Sequence, residues 1–347
     1  MELKEIFPLR LKSARKMAGL SMDALVEKLN YIVSKSAIGK YENGQMLPES
    51  DNLIALANAL NVKPDFFFKP FTHKLVNVEF RKKANLPKGR INQIKEMAED
   101  YLDRYIEIEN LLGEHSKFVN PVKNLVIKDL NDVESAALEL RKKLKTGDSP
   151  IMNLLDLLED NGIKIFEIDT IEDFAGLSAW VNDIPVIVLN KKSDNLRKRF
   201  TALHETAHLL LNFPDGAVEK LCHSFAGAFL IPEHILKREL GEKRVSLSFT
   251  ELINVKETYG ISVQALVMRA NAVGIVDDSY LKKFFIYIRQ NHLQDEKGLG
   301  NYSGIEQANR FNHMVYYAVA EDVISLSKGA NLVGEPLVKF RTKISGK

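Results

Sequence analysis

The stretch NLRKRFTALHETAHLLLNFPDG, residues 195–216, decides how the middle of the chain folds. Its apolar side chains recur at helical spacing, which predicts a helix from about Asn195 to Asn212. Pro214 and Gly216 end that helix, because neither residue continues an α-helix well. The apolar residues are numerous enough to predict a buried helix, in which polar side chains need partners.

Two histidines in this helix, His204 and His208, are four residues apart and therefore lie on one face. From that face both imidazoles can reach a single metal ion. Glu205 then flanks the ion without binding it and is placed to accept a proton from water on the metal. The alternative is a pair of core histidines satisfied by hydrogen bonds alone. The pattern favours a metal-dependent hydrolytic site.

A catalytic zinc ion usually has three protein ligands and one open position. The next predicted helix, from about Ala217 to Leu230, offers Glu219 and His223 on one face. Glu219 is the preferred third ligand, because it begins a helix that can fold back over the HETAH helix. His223 is either an alternative ligand or a hydrogen-bond donor that stabilises an oxyanion, and we place it with Glu205 among the catalytic residues.

Other candidate ligands are less favoured. Asp215 lies in the turn between the two helices, and Glu233 lies just beyond the second one. Cys222 is interpreted as a small buried hydrophobe, and His313 as a surface histidine of a later helix. The predicted ion is Zn²⁺, with Mn²⁺ as the alternative.

Three short apolar segments precede the HETAH helix and predict a small β-sheet: IKIFEI at 163–168, LSAWV at 177–181 and PVIVLN at 185–190. The last two are separated by turn residues and predict a β-hairpin. Its edge, around Ser178 to Val181, could hold an extended peptide by strand addition.

These segments together resemble the ImmA/IrrE family of metallopeptidases over about residues 150–280. The resemblance rests on HETAHLLL, on the preceding hairpin LSAWVNDIPVIVLN and on the following EKLCHSFAGAFLIP. It implies a zinc-dependent endopeptidase with Glu205 as the catalytic base and the ligands His204, His208 and Glu219. It also implies a DNA-bound repressor or an antitoxin as the substrate. The interval from His208 to Glu219 is shorter than the family pattern.

The N-terminal stretch LSMDALVEKLNYIVSKSAIGKYENGQMLPESDNLIALANALNV resembles the XRE, phage-repressor-like helix-turn-helix family over about residues 6–68. The helix after Ser34 would enter the major groove, with Lys35 and Ser36 at base edges and Lys40 at phosphates. YIV before Ser34 is an insertion relative to that pattern. The alternative is a helix-turn-helix that grips another repressor instead of DNA.

The composition excludes several classes of protein. A chain of 347 residues, 45% hydrophobic and 27% charged, is typical of a globular protein with two or three domains. The net charge of +2 is too small to favour any particular kind of partner. The single cysteine excludes a disulfide framework and suits a reducing cytosol. Because no apolar run reaches the ~18 residues of a membrane span, we expect a cytoplasmic protein with no membrane partner.

The predicted fold is multidomain, mainly α with a small β-sheet. We expect an all-α helix-turn-helix domain at 1–70, a basic and helical connector at 71–130, and an α+β zincin-like peptidase domain at 131–292. A helical C-terminal region follows at 293–347. Its stretch RFNHMVYYAVAEDVISLSKGANLVG resembles the regulatory tail of some fused members of the peptidase family, which makes the region a candidate regulatory element.

The predicted function combines both halves: a regulator that binds operator DNA and cleaves a repressor or antitoxin, derepressing transcription in stress, mobile-element or toxin–antitoxin control. The target is a partner from a neighbouring gene or the chain itself. One alternative is a non-proteolytic transcription factor with a structural or sensing metal site, and another is an antitoxin that binds its toxin. A homodimer is a candidate assembly, because helix-turn-helix modules often read paired half-sites.

Overall fold

The computed structural model describes residues 3–70, 87–114, 118–169, 174–181, 183–213 and 218–346. Its strands are β1 (Lys164–Ile168), β2 (Gly176–Val181) and β3 (Ile184–Asn190). The α-helices of the described residues are α1 (Leu3–Met17), α2 (Met22–Lys28), α3 (Lys35–Glu42), α4 (Ser50–Leu60), α5 (Lys88–Leu112), α6 (Leu130–Lys143), α7 (Leu154–Asp160), α8 (Asn195–Leu210), α9 (Val218–Leu230), α10 (Glu233–Leu240), α11 (Phe249–Tyr259), α12 (Val263–Ala272), α13 (Asp278–Gln290), α14 (Arg310–Ala320), α15 (Leu326–Val333) and α16 (Leu337–Ser345). The prediction of a mainly helical chain with a small sheet is confirmed.

The chain divides into two compact units. The first contains the described residues of 1–76, 82–114 and 318–347, and the second contains those of 115–317. The division falls inside α14, so the region predicted at 293–347 is shared between the units. Among the described residues, no helix combines the length and apolar character needed to cross a bilayer.

Serine caps define the short helices at the start of the first unit. The Ser21 side chain accepts a hydrogen bond from the Ala24 N–H at 3.0 Å, and the Ser34 side chain accepts one from the Ala37 N–H at 3.2 Å. Each cap satisfies an amide that the first helical turn leaves unpaired. Serine is one of the residue types that the N-cap position favours. Beneath them lies one apolar core, formed by Phe7, Leu11, Ala14, Leu25, Val26, Leu29, Val33, Ile38, Tyr41, Leu56, Ala57, Ala59, Leu60 and Phe67.

Helix α5 and the C-terminal helices belong to this same unit. Arg10 on α1 donates a hydrogen bond to Asp103 on α5 at 3.2 Å. On the other side, Arg104 on α5 donates to the backbone carbonyl of Leu332 on α15 at 2.5 Å. Since α15 and α16 pack on each other, the end of the chain is built into the first unit.

The second unit contains the sheet, whose strand order is β1-β3-β2. β3 pairs in parallel with β1 and antiparallel with β2. The predicted hairpin is therefore confirmed, with Ser178 opposite Ile187 and Val181 opposite Ile184. Among the described strands β2 has one neighbour only and forms an edge of the sheet. Residue 182 of the predicted turn lies outside the described residues.

Helices α8 and α9 pack on each other, and α8 also packs on β2 and β3. The predicted HETAH helix is therefore confirmed as α8, and the helix that follows it as α9. The apolar side chains of both helices join the main core of the second unit, together with Ile187 and Leu189 of β3. The fold thus places the HETAH motif between the sheet and a second buried helix.

Candidate metal centre

Helix α8 presents its polar motif inside the core. The Asp194 side chain caps the helix by accepting the Arg197 N–H at 2.9 Å. From Thr201 to Leu210 every residue of α8 is buried, including His204, Glu205 and His208. Burial of three such side chains on adjacent turns is costly unless they have polar partners. The burial of His204, Glu205 and His208 on one helix is therefore explained more readily by a shared function than by packing.

Two imidazole nitrogens and the two oxygens of one carboxylate converge at this point. The Nε2 atoms of His204 and His208 are 3.1 Å apart. One carboxylate oxygen of Glu219 lies 3.3 Å from the first of them, and the other oxygen lies 3.2 Å from the second. The structure therefore brings together the two histidines and the carboxylate that the sequence pointed to, and the Glu219 side chain reaches them from the first turn of α9 while remaining 64% exposed.

The spacing of these atoms fits a tetrahedral metal ion. Ligands about 2.0 Å from one ion lie about 3.3 Å from each other in a tetrahedron. The two Nε2 atoms are 3.1 Å apart, and each lies 3.2 or 3.3 Å from one of the two oxygens of Glu219, which is close to that edge length. Two imidazole nitrogens and a carboxylate oxygen are also the donor set of several catalytic zinc sites. The residues present fit a divalent cation of this kind.

His223 lies next to these donor atoms, one turn along α9 from Glu219. Its potential ligand atom is within 4.8 Å of those of His204 and Glu219. Its ring centroid is 4.4 Å from that of His204, and the ring stacks on Phe200 with centroids 5.8 Å apart. The exposed His223 ring therefore borders the position where a fourth ligand or a substrate would sit.

The cysteine lies against His208, on the side of the ring away from Glu219. Cys222 is buried, and its Sγ is 3.6 Å from Nδ1 of His208, the ring nitrogen that does not face Glu219. The sulfur thus contacts the back of a candidate ligand, where it can orient the imidazole. Asp215 lies outside the described residues, so its expected position in the turn has no counterpart here. Glu233 is ion-paired with Lys237 on α10 at 2.6 Å.

Glu205 is held from the sheet side. Ser178 on β2 donates a hydrogen bond from Oγ to Oε2 of Glu205 at 2.8 Å, and both residues are buried. A hydrogen bond to a carboxylate is stronger than one between neutral groups, so it fixes the orientation of this side chain. β2 can approach α8 this closely because position 176 is glycine: a Cβ there would lie 2.6 Å from Cγ2 of Thr201.

The candidate DNA-contacting residues lie on α3 in the other unit. Lys35, Ser36 and Lys40 are all exposed. The Lys35 ammonium pairs with Asp23 on α2 at 2.7 Å, and both side chains are largely exposed. The acidic residue of α3, Glu42, is instead buried in an ion pair with Arg15 at 2.6 Å. The exposed charges of α3 are therefore positive.

Family models match both parts of the chain. Residues 11–67 match the helix-turn-helix family, and residues 158–271 match the IrrE N-terminal-like domain, a family of metallopeptidases. The chain carries both domains. The second match contains β1–β3, the HETAH motif, Glu219 and His223. No curated protein matches the chain.

The second unit contains an ion-pair network that sequence reasoning missed. Arg199, one turn before the HETAH motif on α8, is buried and ion-paired with Glu306. Glu306 also accepts the N–H groups of Leu154 and Leu155 at 2.9 and 3.3 Å. Burial raises the pKa of Glu306, while the guanidinium opposes that rise. The partners are over 100 residues apart, so no local pattern joins them.

Two contacts of the IrrE-like site were also missed: the bond from Ser178 to Glu205 and the contact of Cys222 with His208. A signal existed for the first, because a serine in the middle of an otherwise apolar strand requires a polar partner when buried. No comparable signal existed for the second, since a buried cysteine is commonly a packing residue.

Proposed function

We propose that this chain is a cytoplasmic DNA-binding transcriptional regulator with zinc-dependent endopeptidase activity, Mn²⁺ being the alternative ion. Its peptidase would cleave a repressor or antitoxin and so derepress transcription in stress, mobile-element or toxin–antitoxin control. One observation carries the proposal: donor atoms of His204, His208 and Glu219 converge at tetrahedral spacing beside Glu205. The match to a metallopeptidase family supports the same reaction class.

The ligands, the base and Ser178 have separate roles in the proposed reaction. A zinc ion held by His204, His208 and Glu219 supplies, when bound, acidification of water and polarisation of the peptide carbonyl. Glu205 accepts the proton of the attacking water and delivers it to the leaving amine. The hydrogen bond from Ser178 keeps the Glu205 carboxylate in a single orientation during this transfer.

The edge of β2 supports a peptide as the substrate. β2 pairs with β3 on one side, and the part of the chain that the structure describes places no strand on its other side. An extended segment can add to such an edge through backbone hydrogen bonds. Because Ser178 lies on β2 and contacts Glu205, a segment bound there would run past the catalytic base. A locally unfolded part of a repressor or antitoxin suits this mode.

Glu205→Gln is the first test of the proposal. We expect zinc content equal to that of the parent and a cleavage rate at least about 100-fold lower, because the amide cannot accept the proton. The assay uses two probes, the purified repressor or antitoxin of the neighbouring gene and the chain itself, with products read by mass spectrometry. Cleavage at the parental rate by this variant would rule out the proposed mechanism.

The third ligand is tested by a matched pair of carboxylates. Glu219→Ala should lose most of the bound zinc, whereas Glu233→Ala should retain it, because Glu233 pairs with Lys237 on another helix. Metal content by atomic emission measures both variants. Retention of zinc by the first variant, or loss of it by the second, would reassign the ligand.

A second candidate function is a non-proteolytic transcription factor or antitoxin with a structural or sensing metal site. The position of His223 favours it, because a fourth protein ligand would close the corner that hydrolysis needs. His223→Ala separates the two candidates. A loss of bound zinc as large as that of Glu219→Ala identifies a ligand, because removal of a residue that only supports a ligand typically costs about 10–100-fold in affinity. Unchanged zinc affinity with slower cleavage identifies a group that binds the substrate oxyanion.

The DNA-binding half of the proposal rests on the match to the helix-turn-helix family and on the positive exposed charges of α3. Lys35 and Ser36 would read base edges, Lys40 would contact phosphate, and a homodimer would read paired half-sites. Mobility shifts at several salt concentrations test this directly. Lys40→Ala should weaken binding to all sequences and reduce the salt slope by about one unit.

A further inference from the structure

Two apolar side chains project from the turn between α2 and α3. Tyr31 is 74% exposed and Ile32 is 67% exposed, in a unit whose other apolar residues mostly form a core. The next residue, Val33, is buried in that core. In the sequence YIV, the Val33 side chain therefore packs in the core, while those of Tyr31 and Ile32 lie in solvent.

The backbone of this turn is ordered by hydrogen bonds. The N–H of Asn30 donates to the Glu27 carbonyl at 2.9 Å, and that of Tyr31 donates to the Val26 carbonyl at 3.0 Å. Asn30 and Tyr31 have φ values of 50° and 62°. These values lie in the left-handed region, which residues other than glycine and asparagine adopt less often. These hydrogen bonds end α2 and hold the exposed tyrosine in one backbone conformation.

The turn leads directly into the helix expected to enter DNA. Ser34, the N-cap of α3, follows Val33, and Lys35 and Ser36 form the first turn. In helix-turn-helix proteins the N-terminal residues of this helix contact base edges in the major groove. Tyr31 and Ile32 therefore immediately precede the residues expected to read bases.

We propose that Tyr31 and Ile32 are specificity-determining residues that contact thymine methyl groups in the major groove. The proposal rests on the DNA-binding function proposed above. The exposed charges on α3, Lys35 and Lys40, are positive, and Glu42 is buried in its pair with Arg15. An apolar pair beside lysines complements a groove in which methyl groups lie between two lines of phosphate.

The test compares thymine with uracil, which lacks only the methyl group. Duplexes that bind the full-length parent are selected from a randomised pool and then prepared with either thymidine or deoxyuridine. We expect the parent to bind the thymidine form about fivefold or more tightly. The double variant Tyr31→Asn, Ile32→Ser should bind both forms with nearly equal affinity and with an unchanged salt slope. Asparagine is chosen because it tolerates the left-handed conformation.

Ile54→Ser is the matched control, since Ile54 is a half-exposed apolar residue of α4 in the same unit, and it should keep the parental ratio. Circular dichroism checks that each variant folds. A double variant that still prefers thymidine as strongly as the parent overturns this inference alone. A double variant that loses self-association in sedimentation but keeps the ratio identifies a contact between copies, and also overturns it. A parent without salt-sensitive binding to any duplex overturns the DNA-binding function as well.

Discussion

At the residue scale, the candidate site depends on residues that orient the proposed base and one of the proposed metal ligands. Glu205 is oriented by Ser178, and His208 is contacted from behind by Cys222. Neither supporting residue belongs to the group of donor atoms formed by the two imidazoles and Glu219. Metal ligands and bases in proteins commonly need such support to keep one orientation. We therefore expect the Ser178 contact to affect the cleavage rate and the Cys222 contact to affect the affinity of the site for zinc.

Ser178→Ala tests the support of Glu205. We expect cleavage to slow by about 10- to 100-fold, because the carboxylate loses a hydrogen bond worth roughly 1.5–3 kcal/mol, while zinc content stays at the parental level. The measurement is kcat on whichever substrate the parent cleaves, together with metal analysis. Ser135→Ala is the control, since that hydroxyl bonds its own helix backbone on α6. A parental kcat would show that Ser178 does not position the base.

At the element scale, the approach of β2 to α8 brings the sheet to the motif. Position 176 begins β2, and a side chain there would collide with Thr201 on α8 and crowd the Val188 carbonyl, 3.1 Å from the Cβ. Glycine at this position is therefore a requirement of packing, because the left-handed backbone that often explains glycine is not involved. The contact between Ser178 and Glu205 depends on the same approach.

Gly176→Ala should lower the free energy of unfolding by about 1–3 kcal/mol, as overpacking of a close contact does. Adding Thr201→Ser removes the colliding methyl group and should restore part of that loss. Urea unfolding followed by Trp180 fluorescence measures both variants, because Trp180 lies on β2 and is the only tryptophan of the chain. Equal stability of the parent and Gly176→Ala would mean that β2 moves freely relative to α8.

At the scale of the whole molecule, a buried carboxyl group joins two helices of the second unit that are distant in the sequence. Glu159 on α7 is almost fully buried and accepts the N–H of Arg310, the first residue of α14, at 3.1 Å. Burial raises its pKa from 4.5 to about 8, although the backbone hydrogen bond from Arg310 opposes this. The folded state thus binds this proton more tightly than the unfolded state does.

The stability of the second unit should therefore decline as pH rises. The contribution of Glu159 is fully present below about pH 4.5 and is lost as pH rises through about 8. Glu159→Gln should flatten this dependence between pH 5 and 8, because glutamine does not ionise. Glu139→Gln, on the partly exposed face of α6, should leave the dependence unchanged. Urea unfolding across this pH range, read by Trp180, measures all three proteins, and an unchanged slope in Glu159→Gln would contradict the assignment.

The sequence alone determined the local features of this protein. Caps at Ser21 and Ser34, the hairpin and the HETAH helix follow from short-range patterns, because hydrogen bonds and apolar spacing within a few residues decide them. The two histidines lie on one face for the same reason.

Only the tertiary structure decided which distant groups meet. Glu219 reaches the histidines because α9 packs on α8, and Ser178 reaches Glu205 because a glycine lets β2 approach. Arg199 meets Glu306 across more than 100 residues, and the end of the chain joins the unit at its beginning. Side-chain packing in the folded core sets these contacts, and no pattern along the sequence specifies which distant partner a buried polar group will find.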